Sequence, residues 1–98
     1  MANQAVGFVE AEGFVPVFDA VDAMVKATDV TIEGVMRLGG GLVAVALSGD
    51  LATMEEAVEI GAETARAISG GTVKSIIFAN PSHPVAAIAR NPRVVDGS

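Results

Sequence analysis

The chain has 98 residues, with six Lys and Arg against twelve Asp and Glu, for a formal net charge of −6. That charge, with the few basic residues scattered and no Trp or Tyr to stack on bases, argues against nucleic acid as a partner. The absence of cysteine removes disulfides, thiolate metal sites and a cysteine nucleophile, and fits a reducing cytoplasm.

In chain order, Ala5-Val6-Gly7-Phe8-Val9-Glu10 reads as a first strand, with Gly7 marking a close backbone approach. After Gly13, apolar residues recur at three- and four-residue spacing through Phe14, Val17, Phe18, Val21, Met24 and Val25, which predicts an amphipathic helix. Pro16 sits early in it, where a missing N–H costs nothing. The helix should stop near Ala27-Thr28-Asp29. Val30-Thr31-Ile32-Glu33 then alternates as a strand does, and Leu42-Val43-Ala44-Val45-Ala46-Leu47 is a continuous apolar run.

Between these two strands lies Gly39-Gly40-Gly41, the only glycine triplet in the sequence. A hairpin turn needs one or two residues free to take positive φ. Three ask for a further reason, and the expectation is that this bare loop faces other copies of itself. A Walker loop would need Lys-Ser/Thr after the last glycine, and here Leu42-Val43 follows. A dinucleotide fingerprint needs strand, turn and helix, whereas this loop joins strand to strand.

Asp50 is placed as an N-cap for a helix from Leu51 to about Ile68, with Glu55 and Glu56 expected in its first turns. Its inner stripe reads Leu51, Met54, Val58, Gly61, Ala65 and Ile68, and the alanines make it thin. Ser69-Gly70-Gly71 ends it. Val73 to Ala79 is a fourth strand and Asn80-Pro81-Ser82-His83-Pro84 a turn. A short helix is possible over Val85 to Ala89, before a frayed tail over 91–98. The order β-α-β-β-α-β predicts an α+β domain over residues 1–90, a ferredoxin-like split β-α-β with an antiparallel-rich four-stranded sheet and helices on one face.

Apolar residues make up 51% of the chain and mean hydropathy is +0.52. Ala and Val supply roughly a third of it, well above ordinary usage. A domain this small leaves about a third of its unfolded surface exposed, so the surplus is expected at contacts between subunits. Charged residues interrupt every apolar run well before the ~20 residues of a membrane span. The start Met1-Ala2-Asn3-Gln4 has neither the basic region nor the apolar core of a secretion signal.

Candidate catalytic groups are sparse. His83 is the sole histidine and sits between prolines; Ser48 and Ser75 have no evident partner base; no residues have metal-ligand spacing. Catalytic residues, a metal site and a cofactor are therefore not expected.

The segments Asp22-Ala23-Met24-Val25-Lys26-Ala27, Gly34, Gly39-Gly40-Gly41-Leu42-Val43 and Gly49-Asp50, in this order, resemble the single-domain, hexamer-forming shell proteins of bacterial microcompartments. The resemblance runs from about Val6 to Pro81. It implies non-catalytic subunits that form flat cyclic hexamers, tile edge to edge with each other and with other shell proteins, and surround encapsulated enzymes. It also implies a pore on the six-fold axis for small polar metabolites. On the matching positions, Lys26 and Asp29 fall at the hexamer edge and Leu38, Gly39, Gly40 and Gly41 line the pore, preceded by Arg37 where many members have Lys. Two departures stand out. Gly40 leaves the centre of the pore loop without a side chain, and Asn80, with His83 nearby, stands where the family often has an edge Arg.

Two other readings stand beside the shell subunit. One is an oligomeric, small-molecule-binding regulatory domain that holds its ligand with glycine-loop backbone groups. The other is an enzyme with a boundary site using Glu10 or His83.

Overall fold

The computed structural model describes residues 4–79. The calls on Asn80, His83, the Val85–Ala89 helix and the tail lie outside them. The described order is β1 (Gln4–Glu12), α1 (Phe14–Ala27), β2 (Thr31–Gly39), β3 (Leu42–Asp50), α2 (Leu51–Ser69) and β4 (Lys74–Ala79). The strands form one sheet in the order β2-β3-β1-β4, and every neighbouring pair is antiparallel. Strand β3 thus separates β1 from β2, which is the split β-α-β expected from the sequence.

The centre of the sheet is β1 paired with β3 along nine residues each. Successive side chains leave a strand on opposite faces, so the odd and even positions of β1 meet different surroundings. Ala5, Val9 and Ala11, with Val43, Val45 and Leu47, turn to the helix side and join Val17, Ala20, Met24, Met54, Ala57 and Ala65 in the main core. Val6, Ala44, Ala46 and Met36 turn the other way, where Phe8, Leu38 and Phe78 half cover them. No described helix lies on that side. The result is a plate of one sheet and one helix layer, 36 × 29 × 17 Å in Cα extent.

The helices pack closely because α2 is thin at its crossing with α1. A Cβ built on Gly61 would sit 2.6 Å from Sδ of Met24, a fully buried side chain. Asp50 caps α2 as expected: its carboxylate accepts the Thr53 N–H at 3.0 Å and the Thr53 hydroxyl at 2.9 Å. Gly70 ends the helix in the left-handed conformation. Glu55 and Glu56 fall in the second turn, the first turn holding no acidic residue.

The helical stripes differ from the sequence pattern in one respect. The buried residues of α1 are Pro16, Val17, Ala20 and Met24, while Phe14, Phe18 and Val25 are exposed. On α2, Ile68 is likewise exposed. Alanine and proline supply part of the inner face, which rotates it away from the largest apolar residues.

Gly61→Val is expected to lower stability by about 1–3 kcal/mol through overpacking against Met24, read as a fall in denaturation midpoint. Gly61→Ala should lose less, because about 1 kcal/mol of helix propensity is returned. The two Thr53 hydrogen bonds hold the Asp50 carboxyl below its usual value, the backbone N–H contributing most. The folded group then binds its proton less tightly than the unfolded one. Its stabilisation is complete above the ordinary carboxylate range and is lost as pH falls through the lowered value. Asp50→Asn keeps an acceptor without this titration, so its stability should fall less steeply on acidification than that of the parent chain, as measured by thermal unfolding across that range.

Candidate functional site: the glycine hairpin and the opposite edge

All three glycines of the triplet have positive φ: 88° at Gly39, 63° at Gly40 and 82° at Gly41. Gly40 and Gly41 form the two-residue connection between β2 and β3, and positive φ at both central positions is the type I′ geometry that matches strand twist. Gly39 closes an irregularity in the ladder, where the register shifts between Arg37 and Gly39. Local geometry therefore accounts for the third glycine, which was the residue the sequence left in need of another reason. The loop's exposure is a separate matter. A Cβ placed on Gly40 or Gly41 would meet no atom within 4 Å. The tip is bare backbone with open space around it.

The hairpin is tied to the start of α1. Gly13, itself at φ 87°, donates its N–H to the Gly41 carbonyl at 2.9 Å. Between them lies a shallow depression of about 380 Å³ lined by Phe14, Arg37 and the three glycines. Leu38 turns to the other side of the sheet, packing with Met36 and Phe8. The sequence placed Arg37 and Leu38 together beside the loop. The structure puts them on opposite faces, as strand alternation requires.

Lys26 and Asp29 lie at the other end of the strands, where α1 ends and β2 begins. The Lys26 ammonium pairs with Asp22 one turn earlier at 2.9 Å, and both side chains are exposed. An exposed i,i+4 pair is worth about 0.3–0.5 kcal/mol, so another acceptor could displace it. As a base in the last turn, Lys26 also suits the helix dipole. Asp29 is exposed just beyond the helix. The hairpin and this edge are thus separated by the length of the sheet.

Among the described residues, the groups the sequence offered for catalysis do not converge. Glu10 lies cross-strand from Lys74 on the helix-free face. Ser48 donates its hydroxyl to Glu33 at 2.6 Å. Among the described residues no three His, Cys, Asp or Glu are grouped to hold a metal ion, and no helix is long and apolar enough to cross a membrane. Sequence reasoning missed the helix-free groove of about 400 Å³ floored by Phe8, Met36, Ala44 and Ile76. The signal was present in the apolar even-numbered positions of the first strand.

A β-branched residue at Gly40 would have space but the wrong backbone. Gly40→Val should cost about 1–2 kcal/mol for the left-handed conformation, whereas Gly40→Asn should cost markedly less. Denaturant unfolding of the two variants checks this.

A model of the BMC domain matches residues 5–81. The chain is 39% identical over 89 residues to carboxysome shell protein CcmK4 of Synechococcus elongatus, covering 90% of this chain and 79% of that one. It is 42% identical over 78 residues to carboxysome shell protein CcmK2 of Thermosynechococcus vestitus, covering 79% and 76%. With carboxysome shell protein CsoS1 of Prochlorococcus marinus, identity is 37% over 89 residues, covering 87% and 86%. Among solved structures, the fold matches a microcompartment protein from Desulfitobacterium hafniense with a TM-score of 0.68 at 24% identity. The match covers 92% of this chain but only 48% of that one. With the match spanning all four strands and both helices, the chain belongs to the BMC domain family.

Proposed function

We propose that this protein is a non-catalytic shell subunit of a bacterial microcompartment in the bacterial cytoplasm. In this reading copies close into cyclic hexamers with the Gly39–Gly41 hairpins around a central pore. Hexamers then tile edge to edge through the Lys26 and Asp29 end, with the Asn80 and His83 segment contributing to that edge. Other shell proteins complete the layer, and enzymes lie inside it.

The observation that carries this reading is the distribution of uncovered surface. The subunit leaves apolar residues exposed on the helix side, at Phe14, Phe18 and Val25, and on the helix-free side of the sheet, at Ile76. Two unlike patches on one subunit suit a heterologous contact, which repeats head to tail until it closes. Exposed contiguous apolar surface of this kind marks interaction sites. The bare hairpin adds to this, because six tips without side chains can approach an axis and still leave an opening. That opening would be lined by peptide N–H and C=O groups, which suit small polar solutes. The carboxysome shell proteins among its relatives support a structural role.

The first test is native mass by light scattering on a size-exclusion column, with electron microscopy of larger material. A hexamer that forms sheets or tubes is expected. A monodisperse dimer or trimer with no higher assembly would overturn the reading and favour a ligand-binding regulatory domain. Lys26→Ala should leave the hexamer mass unchanged while reducing sheet formation, because only the contact between hexamers is removed. Sheets of undiminished extent would remove Lys26 from the edge. A bulky side chain at Gly40, as in Gly40→Gln, should slow solute passage through assembled shells without dissociating them.

A further inference from the structure

The helix-free face of the sheet changes character along the strands. Cross-strand partners share a face, so its outermost row, at the Lys26 end, reads Thr31, Ser48, Val6 and Phe78 from β2 to β4. The next row inward reads Gly34, Ala46, Phe8 and Ile76, and its Phe8 and Ile76 line the groove described above.

One carboxylate belongs to the outer row. Glu33 is the extra residue where the β2–β3 register shifts, and its Oε2 accepts the Ser48 hydroxyl at 2.6 Å. Ser48 is buried and Glu33 half-buried, next to a row that begins with no side chain at Gly34 and only a methyl at Ala46. The hydroxyl gives Glu33 one hydrogen bond and no counter-charge. A half-buried carboxylate on an apolar face is best matched by a cation, and among the described residues no Lys or Arg pairs with it.

Cations follow Ala79. Residues 80–98 hold Arg90 and Arg93 against one acidic side chain, Asp96, in a chain whose net charge is −6. Strand β4 ends at Ala79, beside Phe78 of the outer row, so the chain leaves the sheet at the same end as Glu33 and on the opposite edge.

We infer that the segment from Val85 to Arg90 lies across the outer row of the helix-free face of its own copy, with the Arg90 guanidinium on the Glu33 carboxylate. From β4 to β2 the crossing is three strand spacings, about 14 Å. Asn80-Pro81-Ser82-His83-Pro84 supplies the turn that reverses the chain. A helix from Val85 to Arg90 advances about 7 Å, and the length of the arginine side chain makes up the rest. Val85 and Ile88, at i and i+3, turn one apolar side to Val6 and Phe78, while Ala86, Ala87 and Ala89 keep the segment thin. Arg90 comes in the last turn, where a cation also suits the helix dipole, and Pro92 ends the segment. The contact lies within one copy, does not rest on the ring proposed above, and leaves the Phe8–Ile76 groove open. In a tiled layer it would fix the side from which the last residues emerge.

The chain has no cysteine, so an introduced pair reports the contact. In the Thr31→Cys/Ala89→Cys variant, a short bismaleimide is expected to join the two thiols within one chain. The product is monomer-sized on a denaturing gel and carries a single linker by intact mass. Adding Glu33→Lys should slow this internal linking by about fivefold, and adding Arg90→Glu as well should restore it. Glu33→Gln keeps an acceptor for Ser48, and slower linking in that variant too assigns the effect to charge rather than to a disturbed strand. A cysteine pair that gives no internal link would overturn the seat. Links that join different chains would also overturn it, since the segment then lies on a neighbouring copy. Linking that is indifferent to Glu33→Lys, or that Arg90→Glu does not restore, would overturn the ion pair. Light scattering on the same samples separates this result from the assembly, because the internal link is expected whether or not a ring forms.

Discussion

Over their middle residues, strands β1 and β3 are apolar on both faces, and the rest of the structure follows from where those two faces go. A central antiparallel pair with one wet face would alternate apolar and polar residues. Here Val6 and Phe8 alternate with Ala5 and Val9, and β3 runs from Val43 to Leu47 without a polar position. Two helices cover one face. The other keeps Val6, Met36, Ala44 and Ala46 out of water only by the partial cover of larger neighbours, with Phe8 edge-on to Phe78 at 6.3 Å. A subunit built this way is complete as a fold and unfinished as a surface.

The helix layer reinforces this. Small residues at the α1–α2 crossing bring the two backbones together around Met24, so alanines and Gly61 serve the inner side. The larger residues of α1, two phenylalanines and Val25, are then surplus to the core and remain at the surface. Apolar excess in the composition is thus explained as a distribution of surface. It lies on opposite sides of a thin plate.

The ends of the plate are chemically different. At one end the chain turns through three glycines of positive φ, tied by a peptide hydrogen bond to Gly13 and empty of side chains. At the other, Lys26, Asp22 and Asp29 carry exposed charge. Bare peptide thus stands at one end of the subunit and a solvent-exposed ion pair with further exposed charge at the other.

Much of this was legible in the residues. Period-two and period-3.6 patterns located the strands and helices, Asp50 and Gly70 marked the limits of α2, and the single glycine triplet located the hairpin. These signals are local, so sequence suffices to read them. The sequence by itself also determined that apolar residues would exceed what one small core can hold. It did not say which of them would be left outside. The stripe on α1 reads through Phe14, Val17, Phe18, Val21, Met24 and Val25, yet of these only Val17 and Met24 are buried, with Pro16 and Ala20 beside them, because the orientation of a helix is chosen by the helix and sheet it packs against. The third glycine could be given its own reason only once the register shift in the β2–β3 ladder was visible. The separation of Arg37 from Leu38 and the groove above Phe8 and Ile76 likewise arise from pairing between distant strands, and pairing is what only the tertiary structure decided.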